Sequence, residues 1–220
     1  MISLAAALSL LALAQAGPSG APAGTSAEQR SPVPSLLSAE TLEGRSLLEA
    51  SAGWPRLRLA YGQGLTPQTD LGAFGDFNYS TTELIAGATY RGAVLPRVAP
   101  FAGALRVSLG WYHDFGGHWI YHHRNHFDNG VAADLGVSYS RFAGGGELSL
   151  LGDLPVIVTF RKGGGLLVNP RAALAYQTPF YGPYTIGIQL GLGLRVGLGD
   201  APVKRGTGEI TALVVAGYRI

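Results

Sequence analysis

The sequence has 220 residues, of which 14% are charged and 33 are glycine; its formal net charge is +2 and it contains no cysteine. Soluble domains carry about 25% charged residues and about 7% glycine, so this composition argues against an ordinary soluble domain. Disulfides, thiolate metal sites and a lipidated N-terminal cysteine are excluded. The arginines are spread singly, which argues against a nucleic-acid surface.

The N-terminus resembles a secretory signal peptide. Leu4–Ala14 is an apolar core of suitable length, and Ala14-Gln15-Ala16 fits the small-x-small cleavage pattern, although no Lys or Arg precedes the core. We predict a signal peptide over 1–16, a disordered or linker segment over 17–45, of which Gly17–Ser35 is rich in Gly, Pro, Ala and Ser, and a folded domain over 46–220. Pro34–Arg45 has room for a short helix.

From residue 47 onward, apolar residues alternate with small or polar ones, which is typical of strands with two unlike faces. No later stretch approaches the roughly 18 apolar residues of a membrane-spanning helix. The alternating segments lie at about 47–61, 71–79, 84–91, 101–112, 131–142, 147–161, 166–177, 184–198 and 209–220.

The apolar alternation of the first segment shifts by one residue at Trp54-Pro55. Before this step the apolar face consists of even-numbered residues such as Ala52 and Trp54, and after it of odd-numbered residues such as Leu57 and Leu59. A one-residue slip of this kind is typical of a β-bulge. A closed bacterial barrel normally has an even number of strands. The first segment therefore either splits at Trp54-Pro55, giving ten strands, or lies outside the wall, leaving eight.

The clearest strand is Tyr184–Leu198, in which an aliphatic row alternates with a row of Gly, Thr, Gln and Arg. Soluble strands usually span about 5–6 residues, while a tilted strand needs about 9–11 to cross a bilayer. The outer face of a soluble sheet would normally carry Lys, Glu and Thr. We therefore predict that the aliphatic row faces lipid and the glycine-rich row faces a barrel lumen.

Aromatic residues recur near the ends of the predicted strands. Phe101 and Trp111 lie at the two ends of one segment. At about 3.3 Å per residue and a tilt near 40°, they are separated by roughly 25 Å across a membrane. We predict membrane-interface positions for Phe101, Trp111, Tyr176, Tyr184 and Tyr218.

The pattern over 47–220 resembles outer-membrane β-barrel proteins of Gram-negative bacteria, the small class represented by the OmpA and OmpX barrels. Ala216–Ile220 looks like the C-terminal signal of that class, with Tyr218 third from last, although the last residue is aliphatic and not aromatic. The resemblance implies an all-β, antiparallel up-and-down transmembrane barrel of eight to ten strands. It also implies contact with the outer-membrane bilayer and insertion by the barrel-assembly machinery through the C-terminal strand. We expect a monomer without a cofactor or nucleic-acid partner.

Charged residues of both signs fall on the predicted lumen face. An eight-stranded barrel has room only for its own side chains, and buried charges must be paired, so we interpret these residues as a charge network that fills the interior. An arginine-lined selective pore is the alternative. The network is predicted to contain Arg106, Asp134, Glu147, Arg161, Arg171 and Arg195.

All five histidines lie within one connection, residues 111–128. If the hairpin continues, His118, His122 and His126 share a face, and imidazoles with nearby aspartates are ligands suited to Zn²⁺ or Cu²⁺. The spacing matches no established zinc motif, and the Trp and Tyr residues of this connection suit a plain interfacial loop. Acid/base catalysis by a Ser108, His113 and Asp114 group is the third interpretation.

Three hypotheses about function follow. The first is a non-enzymatic outer-membrane barrel with a filled polar interior and a structural or surface-exposed role. The second is a membrane-embedded lipid-modifying enzyme, which requires a serine, a histidine and a carboxylate to converge. The third is a narrow, porin-like channel, which requires an open lumen.

Overall fold

The computed structural model describes residues 35–98, 101–116, 127–143, 145–160, 164–199 and 207–220. The predicted signal peptide and the predicted linker up to residue 34 lie outside these ranges. The strands are β1 Ser46–Trp54, β2 Arg56–Thr66, β3 Thr69–Asn78, β4 Glu83–Val98, β5 Phe101–Phe115, β6 Phe127–Ala143, β7 Gly146–Thr159, β8 Gly165–Val168, β9 Arg171–Tyr181, β10 Tyr184–Gly199 and β11 Thr207–Arg219. Over the described ranges, the chain has no helix of the length and apolarity that crossing a membrane requires.

The strands form one closed antiparallel sheet. Each strand pairs with its neighbour in the chain, except that β8 and β9 both pair with β7 and β10 and not with each other; β11 pairs with both β10 and β1, which joins the two edges. Closure leaves no strand with unpaired edge groups. The predicted fold class, an all-β up-and-down barrel, is confirmed.

Strands β8 and β9 are two parts of one wall element. Both pair with β7 and β10, and the register of Val156 with Val168 continues as that of Asp153 with Arg171. The interruption falls at Asn169-Pro170, next to Pro155 of β7, and neither proline has an N–H to give to the ladder. Backbone bonds from Asn169 N to Pro155 O (2.9 Å) and from Leu194 N to Pro170 O (3.0 Å) hold the wall together there. The barrel therefore has ten wall elements.

The chain reverses at Trp54-Pro55, whose peptide bond is cis. Strands β1 and β2 pair as a hairpin, with Ala52 opposite Leu57. The predicted β-bulge is therefore wrong, because the two apolar rows belong to two neighbouring strands. The alternative in which the first segment splits and the barrel has ten strands is correct.

The two ends of the barrel differ in the length of their connections. At the terminal end, where β1 begins and β11 ends, the connections are 67–68, 99–100, 144–145 and 182–183. At the loop end they are Pro55 and residues 79–82, 116–126, 160–164 and 200–206. These names are used below for the two ends.

The wall is apolar outside and polar inside. In β10, Ile188, Leu190 and Leu192 are more than half exposed, while Thr185 and Arg195 are buried in the lumen. The same alternation holds in β5, where Leu109 points outward and Ser108 inward. The predicted orientation of these rows is therefore the one that the barrel adopts.

Residues 35–42 lie inside the barrel at its terminal end, and residues 43–45 lead from there into β1; we call residues 35–45 the lumen segment. They consist of bends and one turn, so the short helix predicted within Pro34–Arg45 does not form in the described part of that range. Leu37 packs in the lumen against Leu151, Ala173, Ala175 and Val215.

We predict that Gly87→Val destabilises the barrel by about 1–3 kcal/mol, the usual cost of overpacking. A Cβ atom at Gly87 would lie 2.1 Å from Leu109 O and 2.5 Å from Gly110 Cα, which are backbone atoms of the adjacent strand. Stability is measured as the urea concentration at which half of the protein has lost its folded band in gels run without heating. Gly75→Val is the control, since nothing lies within 4 Å of a Cβ at that position; equal midpoints for the two variants would contradict the close approach.

Candidate functional site

The lumen is the candidate site, and its terminal half is occupied by the lumen segment. Ser35, Leu37, Ser38, Ala39 and Leu42 are all buried. The segment leaves the lumen through Glu43 and Gly44, both with positive φ (51° and 80°), and the chain then enters β1. Glycine adopts this conformation without steric cost.

One wall of this half-lumen holds the segment through an Arg–Asp pair. Arg91 Nη1 donates to the backbone oxygens of Ser35 (3.0 Å) and Ser38 (2.7 Å). Arg91 Nε donates to Asp70 Oδ2 at 2.8 Å, and Asp70 Oδ1 accepts the N–H of Leu42 at 2.8 Å. The pair therefore neutralises its own charges and binds three backbone groups of the segment.

Three further wall side chains complete the binding of the segment. Glu49 accepts hydrogen bonds from Ser35 Oγ (3.1 Å) and Leu36 N (3.0 Å). Ser140 Oγ accepts the N–H of Ala39 at 2.8 Å, and Ser38 Oγ donates to Glu147. These bonds matter because a polar group buried without a partner costs about 1–3 kcal/mol.

Space for the segment comes from glycines on the inner face of β2. A Cβ atom at Gly62 would lie 2.5 Å from Leu36 Cδ2, and one at Gly64 would lie 2.3 Å from Gly44 N. A side chain at Gly64 would therefore collide with the backbone of the segment. These two glycines are the sequence signal that could have indicated an occupied lumen.

The middle of the lumen is a layer of arginines and aspartates. Arg106 contacts Asp134 at 3.3 Å and Asp153 at 2.5 Å. The guanidinium of Arg58 lies over the ring of Phe74, 5.4 Å from its centroid. A cavity of about 50 Å³ adjoins this layer, which is room for a few water molecules. It is lined by residues that include Leu37, Arg56, Arg58, Asp153, Arg171 and Glu209.

The loop half of the lumen is closed by side chains from the wall. Arg195 of β10 pairs with Glu83 of β4. Four wall elements separate these strands in either direction around the barrel, so the pair crosses the lumen. The buried Tyr112 donates its hydroxyl to Glu83 Oε1 at 2.8 Å. This crossing contact closes the loop half.

A second ion pair group lies beside that crossing contact. Arg56 bonds Asp76 at 3.1 Å and Glu209 at 2.7 Å, and Asn169 Nδ2 donates to Glu209 at 3.0 Å. The group joins β2, β3 and β11, and its asparagine comes from the gap between β8 and β9.

The structure distributes the predicted charge network over different levels of the lumen. Arg106 and Asp134 are in contact, Glu147 binds the lumen segment, and Arg195 pairs with Glu83. Arg171 borders the cavity and has no described carboxylate within ion-pair distance. Arg161 lies outside the described residues. Glu49 and Asp70, which bind the segment, were not among the predicted residues.

The predicted metal ligands His118, His122 and His126 lie outside the described residues, and that site stays a prediction. Among the residues that are described, no group of three or more His, Asp or Glu side chains is placed to hold a metal ion.

The catalytic group considered from the sequence is not assembled. Ser108 faces the lumen and donates to Thr89 Oγ1 at 3.0 Å. His113 lies on the outer face, where its Nδ1 is 2.7 Å from Asn129 Oδ1, whereas Asp114 is buried inside. The wall therefore separates the histidine from the other two groups.

Aromatic pairs lie on the outer face near both ends of the barrel. At the terminal end, Phe101 stacks on Tyr139 and Tyr184 packs on Tyr218, with ring centroids 5.6 and 5.0 Å apart. At the loop end, Trp111 packs on Phe160 and Trp54 on Tyr79, each at 5.6 Å. Tyr176, the remaining predicted interface residue, lies on the outer face opposite Ile188.

We predict that Arg195→Ala destabilises the barrel by about 3–5 kcal/mol, because it leaves the buried Glu83 carboxylate without its cation. The double variant Glu83→Leu, Arg195→Leu should lose less than Arg195→Ala alone. Urea midpoints of both variants measure the difference. If the double variant is at least as unstable as Arg195→Ala, the loss of stability does not come from leaving Glu83 as an unpaired buried charge.

No model of a known protein family matches the sequence, and a comparison with curated protein sequences finds no similar protein.

Proposed function

We propose that this protein is an outer-membrane β-barrel with a filled polar interior, serving the cell envelope in a structural or surface-presenting role without catalysis. The observation that carries the proposal is the apolar outer surface of a closed barrel whose charges are inside. The same distribution would be unfavourable for a barrel surrounded by water.

The apolar surface extends around the whole wall. Monomeric soluble proteins rarely expose contiguous apolar patches beyond a few hundred Å². Here outward aliphatic residues of successive strands are about half exposed or more, and Leu192 is 67% exposed. They include Leu57, Leu59, Leu71, Leu105, Leu109, Leu135, Val137, Leu150, Leu174, Leu190, Ile210 and Val214. A closed sheet also satisfies its backbone hydrogen bonds internally, as a bilayer requires.

The ends of the barrel support an orientation. Outer-membrane barrels have short periplasmic turns, longer extracellular loops and aromatic girdles at both interfaces. By this rule the terminal end faces the periplasm and the loop end faces the exterior.

The bilayer contacts the wall between the aromatic pairs, and the barrel-assembly machinery recognises the C-terminal strand β11. Because β1 and β11 pair within one chain, the wall closes without a second copy, which supports our expectation of a monomer.

Two independent closures favour a filled barrel over a channel. The lumen segment occupies the terminal half, and the Glu83–Arg195 pair crosses the loop half. The separation of His113 from Ser108 and Asp114 likewise disfavours the lipid-modifying enzyme.

Membrane insertion predicts a depth-dependent cost of charge on the outer face. Leu192→Arg, at the middle of β10, should lose about 2–4 kcal/mol of stability in lipid vesicles, whereas Leu198→Arg, on the same face near the loop end, should lose about 0–1 kcal/mol. Urea unfolding in vesicles measures both. Equal losses, or a mature protein that stays soluble and folded without detergent, would refute the proposal.

A filled interior predicts no conductance. Purified protein inserted into planar bilayers should give no current steps under an applied voltage, because both halves of the lumen are occupied. Reproducible steps that disappear in Arg106→Ala would instead favour an arginine-lined pore. Heat-modified gel migration, in which the folded barrel runs differently from the boiled protein, confirms that the inserted sample is folded.

A further inference from the structure

The wall binds the lumen segment mainly through the backbone of the segment. Arg91 donates to two of its carbonyl oxygens, and Glu49, Ser140 and Asp70 each accept one of its N–H groups. Contacts to backbone groups are open to any peptide that can adopt the same bent path and has suitable side chains. This arrangement is that of a peptide-binding site.

Two apolar contact sites, one around Leu37 and one around Ala39, give the lumen a preference for particular side chains of the bound peptide. Leu37 fills a pocket formed by Leu151, Ala173, Ala175 and Val215. Ala39 is buried against Ala102 and Ala104. The site therefore suits an aliphatic residue followed two positions later by a small one.

The segment is attached differently from the wall. Neighbouring strands of the wall are joined by backbone ladders, whereas no residue of 35–45 belongs to a described strand. The chain joins the ladder near Arg45, whose carbonyl oxygen accepts the N–H of Gly64 at 2.9 Å. An element outside the backbone ladders can open locally while the rest of the fold stays paired. Departure of residues 35–42 would break side-chain bonds and leave the strand pairing intact.

We propose that the terminal half of the lumen is a binding site for a peptide in a bent conformation, and that residues 35–42 are its tethered and exchangeable occupant. The ligand class is a peptide with a Leu-x-Ala-like pattern that bends as residues 35–42 do, bound through its backbone by Arg91, Glu49, Asp70 and Ser140. Exchange opens only the terminal half, because the Glu83–Arg195 pair lies at the other end of the lumen.

The test uses the full-length protein in detergent with a protease recognition sequence inserted between Glu43 and Gly44, both of which are exposed. After cleavage, a fluorescent peptide with the sequence of residues 35–45 is added, and its incorporation is measured by fluorescence anisotropy. We expect saturable binding. The same peptide with Leu37→Asp should bind at least tenfold more weakly, because its carboxylate would be buried in the apolar contact site around Leu37.

Arg91→Ala and Arg106→Ala form a matched pair of variants, since the two arginines are cross-strand partners on the inner face. Arg91 binds the segment, whereas Arg106 binds Asp134 and Asp153 of the wall. Arg91→Ala should weaken peptide binding at least tenfold, and Arg106→Ala should change it less than twofold.

Heat-modified gel migration follows the wall throughout this experiment. The proposal is overturned if the cut protein keeps its folded migration but incorporates no peptide. It is also overturned if cleavage itself abolishes folded migration, because the segment would then be an inseparable part of the fold. Neither outcome depends on which membrane holds the barrel.

Discussion

The inner surface of a closed sheet must be filled, and a buried charge on it costs free energy unless it is paired. A barrel of about eight strands is filled by its own side chains, and the diameter grows with strand number. This barrel has ten wall elements and therefore more space to fill. In its loop half the filling consists of large side chains, including Tyr112 and Arg195; in its terminal half it consists of the lumen segment. The inner glycines of β2 follow from the same requirement, because side chains there would collide with that segment.

The strands were predictable because their period is local. In Tyr184–Leu198 the even-numbered residues were predicted to face outward and the odd-numbered residues inward, and the observed burial alternates in the same way. The turn at Trp54-Pro55 was not predictable in the same way. A one-residue change of phase fits a bulge within one strand as well as a hairpin of minimal length, and only the pairing of Ala52 with Leu57 distinguishes them.

The charge pairs were only partly predictable. Parity places Arg106 and Arg195 on the inner face, but it does not identify their partners. Glu83 and Arg195 are 112 positions apart, and they meet because closure with ten wall elements brings β4 and β10 to opposite sides. Glu49 and Asp70 were missed because their partners lie in residues 35–45, a stretch predicted as part of a linker with room for a short helix and not as part of the barrel interior.

The two closures of the lumen differ in what their opening would require. The Glu83–Arg195 pair is made of wall side chains, so its separation would leave two buried charges without partners, which is strongly unfavourable. The lumen segment is different, because the Arg91–Asp70 pair remains together when the segment leaves, and water entering from the terminal end can solvate the released groups. The terminal closure is therefore the one that can open at lower cost. A barrel built in this way can expose a charged inner surface at its terminal end and still keep its lumen closed at the loop end.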